Sequence, residues 1–343
     1  MSLGFLDGRR LVLAPMAGGP GTPELAAAVA AAGGFPFLPS GYQPVERVAE
    51  AVRNYRALTQ APFAVNLFVP AAPDDERLAR AQEYAGAVRR WAEARGLPVA
   101  EPRYDDDSFE AKVDLLVELR PAAVSFTFGL PDRDVVRRLA ERGIASLVTV
   151  TTPGEAAAAE GTGVDGLVVQ GAEAGSHRGG WLTDDEEPTD LLPLLGRVRD
   201  VTGLPVLAAG GIASGQDVAA VLDGGAEAAV IGTAFLLAPE AGTSRVHREA
   251  LSGGRPTVLT RAWTGKPARA LANRFTEAMG DQAPDAYPEV HHLTAAMRAA
   301  ARERDDPEAV NLWAGQGYRH ARSEPAGETV RRLVSGAGLR SES

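Results

Sequence analysis

The sequence contains no cysteine. That excludes disulfides, thiolate metal ligands, a cysteine nucleophile and a cofactor linked through sulfur. Aromatic residues make up only 6% of the 343 positions, and histidines number five, of which only His177 falls within the first 246 residues. No two histidines have ligand spacing near carboxylates except His291-His292, and adjacency points those side chains apart, so no metal site is expected. No apolar run reaches the roughly 20 residues of a membrane helix. The alanine-rich stretch 26–32 stops at Gly33-Gly34, and Arg9-Arg10 follow the short apolar start rather than precede it, unlike a secretory signal. Basic side chains are outnumbered 45 to 35, giving a net charge of −10, which argues against a nucleic-acid surface. The expectation is a soluble, cytoplasmic protein with no nucleic-acid or membrane partner.

What is present is a rhythm. Short apolar runs at 11–17, 35–40, 63–69, 122–128, 144–151, 166–170, 204–209 and 228–235 alternate with amphipathic stretches at 23–32, 45–58, 75–95, 109–119, 133–142, 153–160, 190–201 and 216–223. The apolar runs are nearly continuous, as in parallel strands covered on both faces. Eight such units in about 240 residues predict a (β/α)8 TIM barrel. A doubly wound sheet is the competing architecture, and it usually has fewer strands. The rhythm stops after 238. Residues 1–238 are therefore read as the barrel, and 239–320 as an additional, mostly helical C-terminal domain over the barrel mouth. Residues 321–343 are read as a polar tail that either frays or returns to the barrel.

A barrel of this kind carries its active site at the C-terminal strand ends. The seventh run closes in Gly210-Gly211 and the eighth in Ile231-Gly232-Thr233. Glycines admit close backbone approach, and a helix start after Ser214 offers free N–H groups, so these two loops read as a phosphate cradle. Neither loop holds Lys or Arg, so backbone amides would hold the anion. The sixth run opens into a loop, 170–180, with four glycines and His177. On such a loop a lone histidine suits hydrogen bonding or proton exchange with a substrate. Glu173 beside it reads either as a loop-ordering carboxylate or as a catalytic one. Asn66 interrupts an apolar strand and Gln170 ends another. Two such amides suit the edge of a planar heterocycle or tie strands together. Phosphate plus heterocycle points to FMN, the usual nucleotide on this fold, while no G-x-G-x-x-G supports a dinucleotide.

Taken in order, the segments Ala14-Pro15-Met16-Ala17-Gly18-Gly19, Asn66-Leu67-Phe68-Val69-Pro70, Ser125-Phe126-Thr127-Phe128-Gly129, the loop from Gln170 to Gly179, Gly232-Thr233-Ala234-Phe235-Leu236, Leu259 through Arg269, Tyr287-Pro288 and Leu312-Trp313-Ala314-Gly315-Gln316-Gly317 resemble the nitronate monooxygenase family, formerly 2-nitropropane dioxygenases, in its class I bacterial branch. The resemblance covers roughly 10–320. It implies non-covalent FMN held by Pro15, Met16, Ala17, Asn66, Gln170, Gly175, Gly210, Gly211, Ile231, Gly232 and Thr233. It implies His177 as the catalytic residue and Phe128, Tyr287 and His291 on the substrate side. The implied reaction oxidises an alkyl nitronate with O2 to a carbonyl compound and nitrite, through a flavin semiquinone and without NAD(P)H. The alternative is another FMN-dependent barrel oxidoreductase, an enoyl reductase or an NADH:quinone reductase. The chain departs from the family pattern at Ser176, where glycine is usual, at Val230, often glutamine, and at 33–37. It departs again at His291, His292 and Ala295, where some members carry tyrosines and a lysine.

Overall fold

A computed structural model of the chain describes residues 3–182 and 188–339. In chain order its elements are β1 (Leu11–Leu13), α1 (Pro23–Ala31), β2 (Phe35–Pro39), α2 (Val45–Leu58), β3 (Ala64–Phe68), α3 (Asp75–Glu93), α4 (Phe109–Leu119), β4 (Ala123–Thr127), α5 (Arg133–Ala140), β5 (Ala145–Val150), α6 (Pro153–Glu160), β6 (Gly166–Gln170), β7 (Ser176–His177), α7 (Leu191–Arg199), β8 (Val206–Ala209), α8 (Gly215–Asp223), β9 (Ala228–Ile231), α9 (Arg245–Ser252), β10 (Thr257–Thr260), β11 (Ala268–Leu271), α10 (Arg274–Met279), α11 (Glu289–Glu303) and α12 (Ala326–Gly336). Strands β1-β2-β3-β4-β5-β6-β8-β9 close into a barrel. Every neighbouring pair is parallel, β1 with β9 included. The expected TIM barrel is present.

Period-two alternation decides what each strand residue can do. Val12, Ala64, Ala123, Leu147, Val168, Leu207, Ala228 and Val230 fill the barrel interior, together with Leu3 and Leu6, which plug one end. Leu11, Leu13, Val65, Leu67, Phe126, Val148, Val150, Ala229 and Ile231 pack outward against the helices. The helices are set by local chemistry. The side chains of Thr22, Thr152 and Ser214 each accept an N–H from the first turn of α1, α6 and α8. Pro23 and Pro153 occupy the first helical position, where no N–H is required.

The ring of helices differs from the sequence reading in one respect. The stretch 75–95 is helical, yet α3 leaves the ring to pack on α11, and α4 covers the sheet between α2 and α5. The eighth ring helix is instead α12, which packs between α8 and α1 and buries Ala326, Val330 and Leu333. The C-terminal stretch therefore does not fray over 326–336. It closes the barrel wall, because its apolar residues recur at helical spacing among polar ones. Residues 183–187 and 340–343 lie outside the described residues.

Between β9 and α12 the chain forms a second apolar cluster. Trp263 and Phe275 stack at 4.2 Å in it, against Val290, Leu293 and Met297 of α11 and Tyr84 and Val88 of α3. It is not purely helical. β10 and β11 pair antiparallel, and β11 pairs with β7, setting Ala268 opposite His177. These strands stand outside the βα rhythm, since they pair antiparallel and β7 is only two residues long.

The contact that closes the ring is backbone on backbone. A Cβ on Gly215 would lie 2.2 Å from the carbonyl carbon of Gly336, whereas one on Gly196, inside α7, meets nothing within 4 Å. Gly215→Ala should lower stability by about 1–3 kcal/mol through overpacking. Gly196→Ala should raise it by up to about 1 kcal/mol through helix propensity. Thermal melts of the two variants should move in opposite directions; shifts of the same sign would contradict this packing.

Candidate active site

The strand ends converge on a cavity of about 590 Å³, within the roughly 300–1,000 Å³ typical of small-molecule sites. Pro15, Met16, Ala17, Asn66, Phe128, Gln170, Gly175, His177, Gly210, Gly211, Gly232, Thr233 and His291 all line it. Two expected site residues do not. Ile231 follows the parity of Ala229 and points outward into the helix layer, and its carbonyl accepts the N–H of Ala14 at 2.9 Å. Strand alternation alone places its side chain there. Tyr287 stands behind the wall, its ring 5.1 Å from Phe128 and 5.9 Å from His177.

One end of the cavity is built of backbone donors. The N–H groups of Gly210, Gly211, Ile212, Gly232 and Thr233 find no acceptor among the described residues. Gly211 has φ +71°, and a Cβ there would press on Glu173 at 2.9 Å. Ser214 and Asp217 form a capping box that fixes the start of α8 directly behind this loop. Thr233 turns its Oγ1 away to accept the Gly315 N–H at 3.0 Å. Five open N–H groups with no side-chain cation among them form a concavity suited to a phosphate.

The two amides behave differently. Asn66 donates through Nδ2 to Ser125 Oγ and Thr127 Oγ1, both at 2.9 Å, and its Oδ1 has no donor among the described residues. Gln170 is more committed: Nε2 donates to the His177 carbonyl at 3.1 Å and Oε1 accepts from Gly179 at 2.7 Å. It ties β6 to the glycine-rich loop and lines the cavity. Glu173 accepts the Leu191 N–H at 3.0 Å and so orders the loop. Arg269 donates twice to the Ala172 carbonyl, fastening β11 to the same loop rather than facing solvent.

His177 is 8% exposed. Thr264 Oγ1 sits 3.0 Å from its Nε2 and 3.3 Å from the Lys266 carbonyl, and Ser176 Oγ is 3.5 Å from its Nδ1. Burial, reinforced by the nearby Lys266 and Arg298 charges, pushes its pKa down to about 3. The imidazole is neutral at physiological pH. Rings surround it: Phe128 at 5.5 Å, Trp313 at 5.3 Å and Tyr42 at 6.5 Å. Ser176 takes φ +66°, a left-handed backbone that serine holds at a cost of roughly 1–2 kcal/mol.

Sequence reasoning passed over Tyr42, Thr264 and Arg298. Tyr42 sits just past β2, where the strand-end rule applied to that strand would have found it. Its ring stacks on His291 at 3.7 Å and 7°. The Asp107–Lys112 ion pair (2.7 Å) anchors it, since Asp107 accepts the Tyr42 N–H at 2.9 Å. Thr264 and Arg298 reach the site only through tertiary folding.

Fold and site together define a parallel-barrel protein with a ligand-sized cavity at its C-terminal strand ends. The nitronate monooxygenase family model matches residues 4–336. A nitronate monooxygenase of Pseudomonas aeruginosa is 41% identical over 94% of this chain and 95% of that one. The crystal structure of a nitroalkane oxidase from Streptomyces ansochromogenes superposes with TM-score 0.93 at 42% identity, covering 97% of this chain and 98% of that one. The structure of FabK from Thermotoga maritima shares the fold, with TM-score 0.77 at 24% identity over 98% and 94% of the two chains. The chain belongs to the nitronate monooxygenase family of oxidoreductases. Among the described residues no group of His, Asp and Glu is placed to hold a metal, and no helix is long and apolar enough to cross a membrane.

Burial holds His177, His247, His291 and His292 below the ordinary histidine value. The unfolded chain takes up protons near pH 6.5 that the folded chain refuses, so stability is full above about pH 6.5 and declines as pH falls toward the folded values. Each such group adds at most about 1.4 kcal/mol per pH unit to the loss. Denaturation midpoints should drop steeply between pH 6.5 and 4. Because burial pushes His247 down to about 4, His247→Gln should flatten the profile; a pH-independent midpoint would contradict the buried neutral state.

Proposed function

We propose that this chain oxidises alkyl nitronates with O2 to a carbonyl compound and nitrite, using non-covalent FMN and no reduced nicotinamide. The observation that carries the reading is the neutral His177 in a cavity with amide donors at one end and no carboxylate in its lining among the described residues. Such a cavity accepts anions. A nitronate is already deprotonated, whereas a neutral nitroalkane must lose a proton to a base, and a group pushed down to about 3 is a poor base at neutral pH.

The residues present fit FMN. Gly210, Gly211, Ile212, Gly232 and Thr233 would hold its phosphate through open N–H groups. The free Asn66 Oδ1 and the remaining Gln170 N–H would meet the polar edge of its ring system, beside the Pro15-Met16-Ala17 turn. Bound FMN would supply the electron-accepting and O2-reducing chemistry. The chain's own part is to orient and shield the substrate. Phe128, Trp313 and the Tyr42–His291 stack restrict water around His177. The Thr264 hydroxyl can give its proton either to the Lys266 carbonyl or to His177 Nε2, and in the second case Nδ1–H becomes a donor for the nitronate oxygens. On this reading 239–320 is the substrate-side unit, since Thr264, His291, Arg298 and Trp313 all come from it. Val230 lines the cavity as an apolar contact.

Steady-state turnover of a nitronate with O2 should proceed equally with and without NADH, and its kcat/KM should stay flat between pH 5 and 8. Dependence on NADH would favour the enoyl- or quinone-reductase reading. Acid precipitation should release all yellow colour as FMN. His177→Asn should cost about 10- to 100-fold in kcat/KM on nitronates, equivalent to about 1.4–2.8 kcal/mol, and His177→Phe more, because it keeps no hydrogen-bonding group. A His177→Phe enzyme with wild-type kcat/KM would return this histidine to a packing role.

A further inference from the structure

The cavity lining holds charge of one sign. No Asp or Glu lines it among the described residues, and burial holds its three histidines, 177, 247 and 291, below their ordinary value. The charged groups that do line it are Arg298 and Arg302, one turn apart on α11.

Arg298 is 8% exposed. Its Nε donates to Thr294 Oγ1 at 3.0 Å, and its Nη2 to the His291 carbonyl at 2.9 Å and toward His291 Nδ1 at 3.2 Å. All three partners are uncharged, and all lie on α11 itself. Nη1 has no partner, and no carboxylate lies within ion-pair distance, among the described residues. In a chain with 45 acidic side chains, a guanidinium buried without a counter-ion is an arrangement that ordinarily costs several kcal/mol. Its burial lowers the pKa to about 10, so the group stays charged at neutral pH.

Its position sets it apart from the phosphate cradle. Through His291 it backs the stack with Tyr42, whose ring is 6.5 Å from His177, so it belongs to the His177 end of the cavity. The cradle at β8 and β9 is made of amides alone. A nitronate head is planar with two oxygens sharing one negative charge, the shape a guanidinium fork recognises. We propose that Arg298 is the counter-ion of the substrate, the contact that selects an anionic, planar two-oxygen head group. The inference rests on the nitronate reading above and names the residue that would enforce it. The half-buried Arg302 adds a second positive charge behind it.

The test uses the full-length, FMN-loaded protein and sodium nitrate, a planar and redox-inert anion. Nitrate should bind the wild type, seen by calorimetry, and inhibit nitronate turnover competitively. Arg298→Gln should weaken nitrate and raise the nitronate KM by roughly 10- to 100-fold, the range of a charged hydrogen bond, with kcat changed less and FMN content unchanged. Arg298→Lys, which keeps the charge, should stay within about tenfold of the wild type in nitrate affinity. Wild-type nitrate affinity and KM in Arg298→Gln would overturn the assignment. So would equal losses in the Lys and Gln variants, which would mark a role in holding the Tyr42–His291 stack. If the wild type fails to oxidise nitronates yet its nitrate binding still requires Arg298, the proposed reaction falls and the anion site stands.

Discussion

The structure is organised around backbone N–H groups that the fold leaves without acceptors. A parallel barrel must end each strand in a loop, and where β8 and β9 end, glycines prevent the loop from folding back on itself. The capping box of Ser214 and Asp217 then occupies its own donors and acceptors, so it does not consume the Gly210, Gly211 and Ile212 amides. Five donors left open at one point are costly unless an acceptor arrives. A phosphate supplies several acceptors at once. On the proposed reading that acceptor is a flavin phosphate, and the cavity residues of β1, β3 and the β6 loop complete the site.

The second constraint is the absence of negative charge. The chain is acidic overall, yet its cavity lining has no carboxylate among the described residues. The carboxylates near it are spent on the scaffold: Glu173 orders the loop, Asp217 caps α8, and Asp107 holds Tyr42 with Lys112. Burial keeps His177 neutral, and aromatic rings keep solvent from it. This is an environment for binding anions rather than for removing protons from neutral carbon acids. It supports the proposed preference for nitronates over nitroalkanes.

Much of this was legible in the sequence, and particular residues show why the rest was not. The eight barrel strands were visible because burial on both faces makes them continuous apolar runs. The glycine-rich loops after β8 and β9 were visible because Gly210, Gly211 and Gly232 fall at two successive strand ends. The side chain of Ile231 lies outside the cavity lining because strand parity turns it outward. The two-residue strand β7 was illegible, since its partner β11 lies 91 positions further on. The α12 helix was hidden by the polar composition of its exposed face. Arg298 carried no signal in the sequence, because only the tertiary fold turns it into the cavity.

On the proposed reading, backbone amides at the ends of β8 and β9 hold the phosphate of FMN. The most direct measurement compares FMN and riboflavin binding to the flavin-stripped protein, since the two ligands differ only in that phosphate. FMN should bind at least about a hundredfold tighter, the worth of two charge-assisted hydrogen bonds. Gly211→Asp, whose Cβ would press on Glu173 and displace the loop that presents these amides, should abolish the difference. Equal affinity for the two flavins in the wild type would contradict that reading.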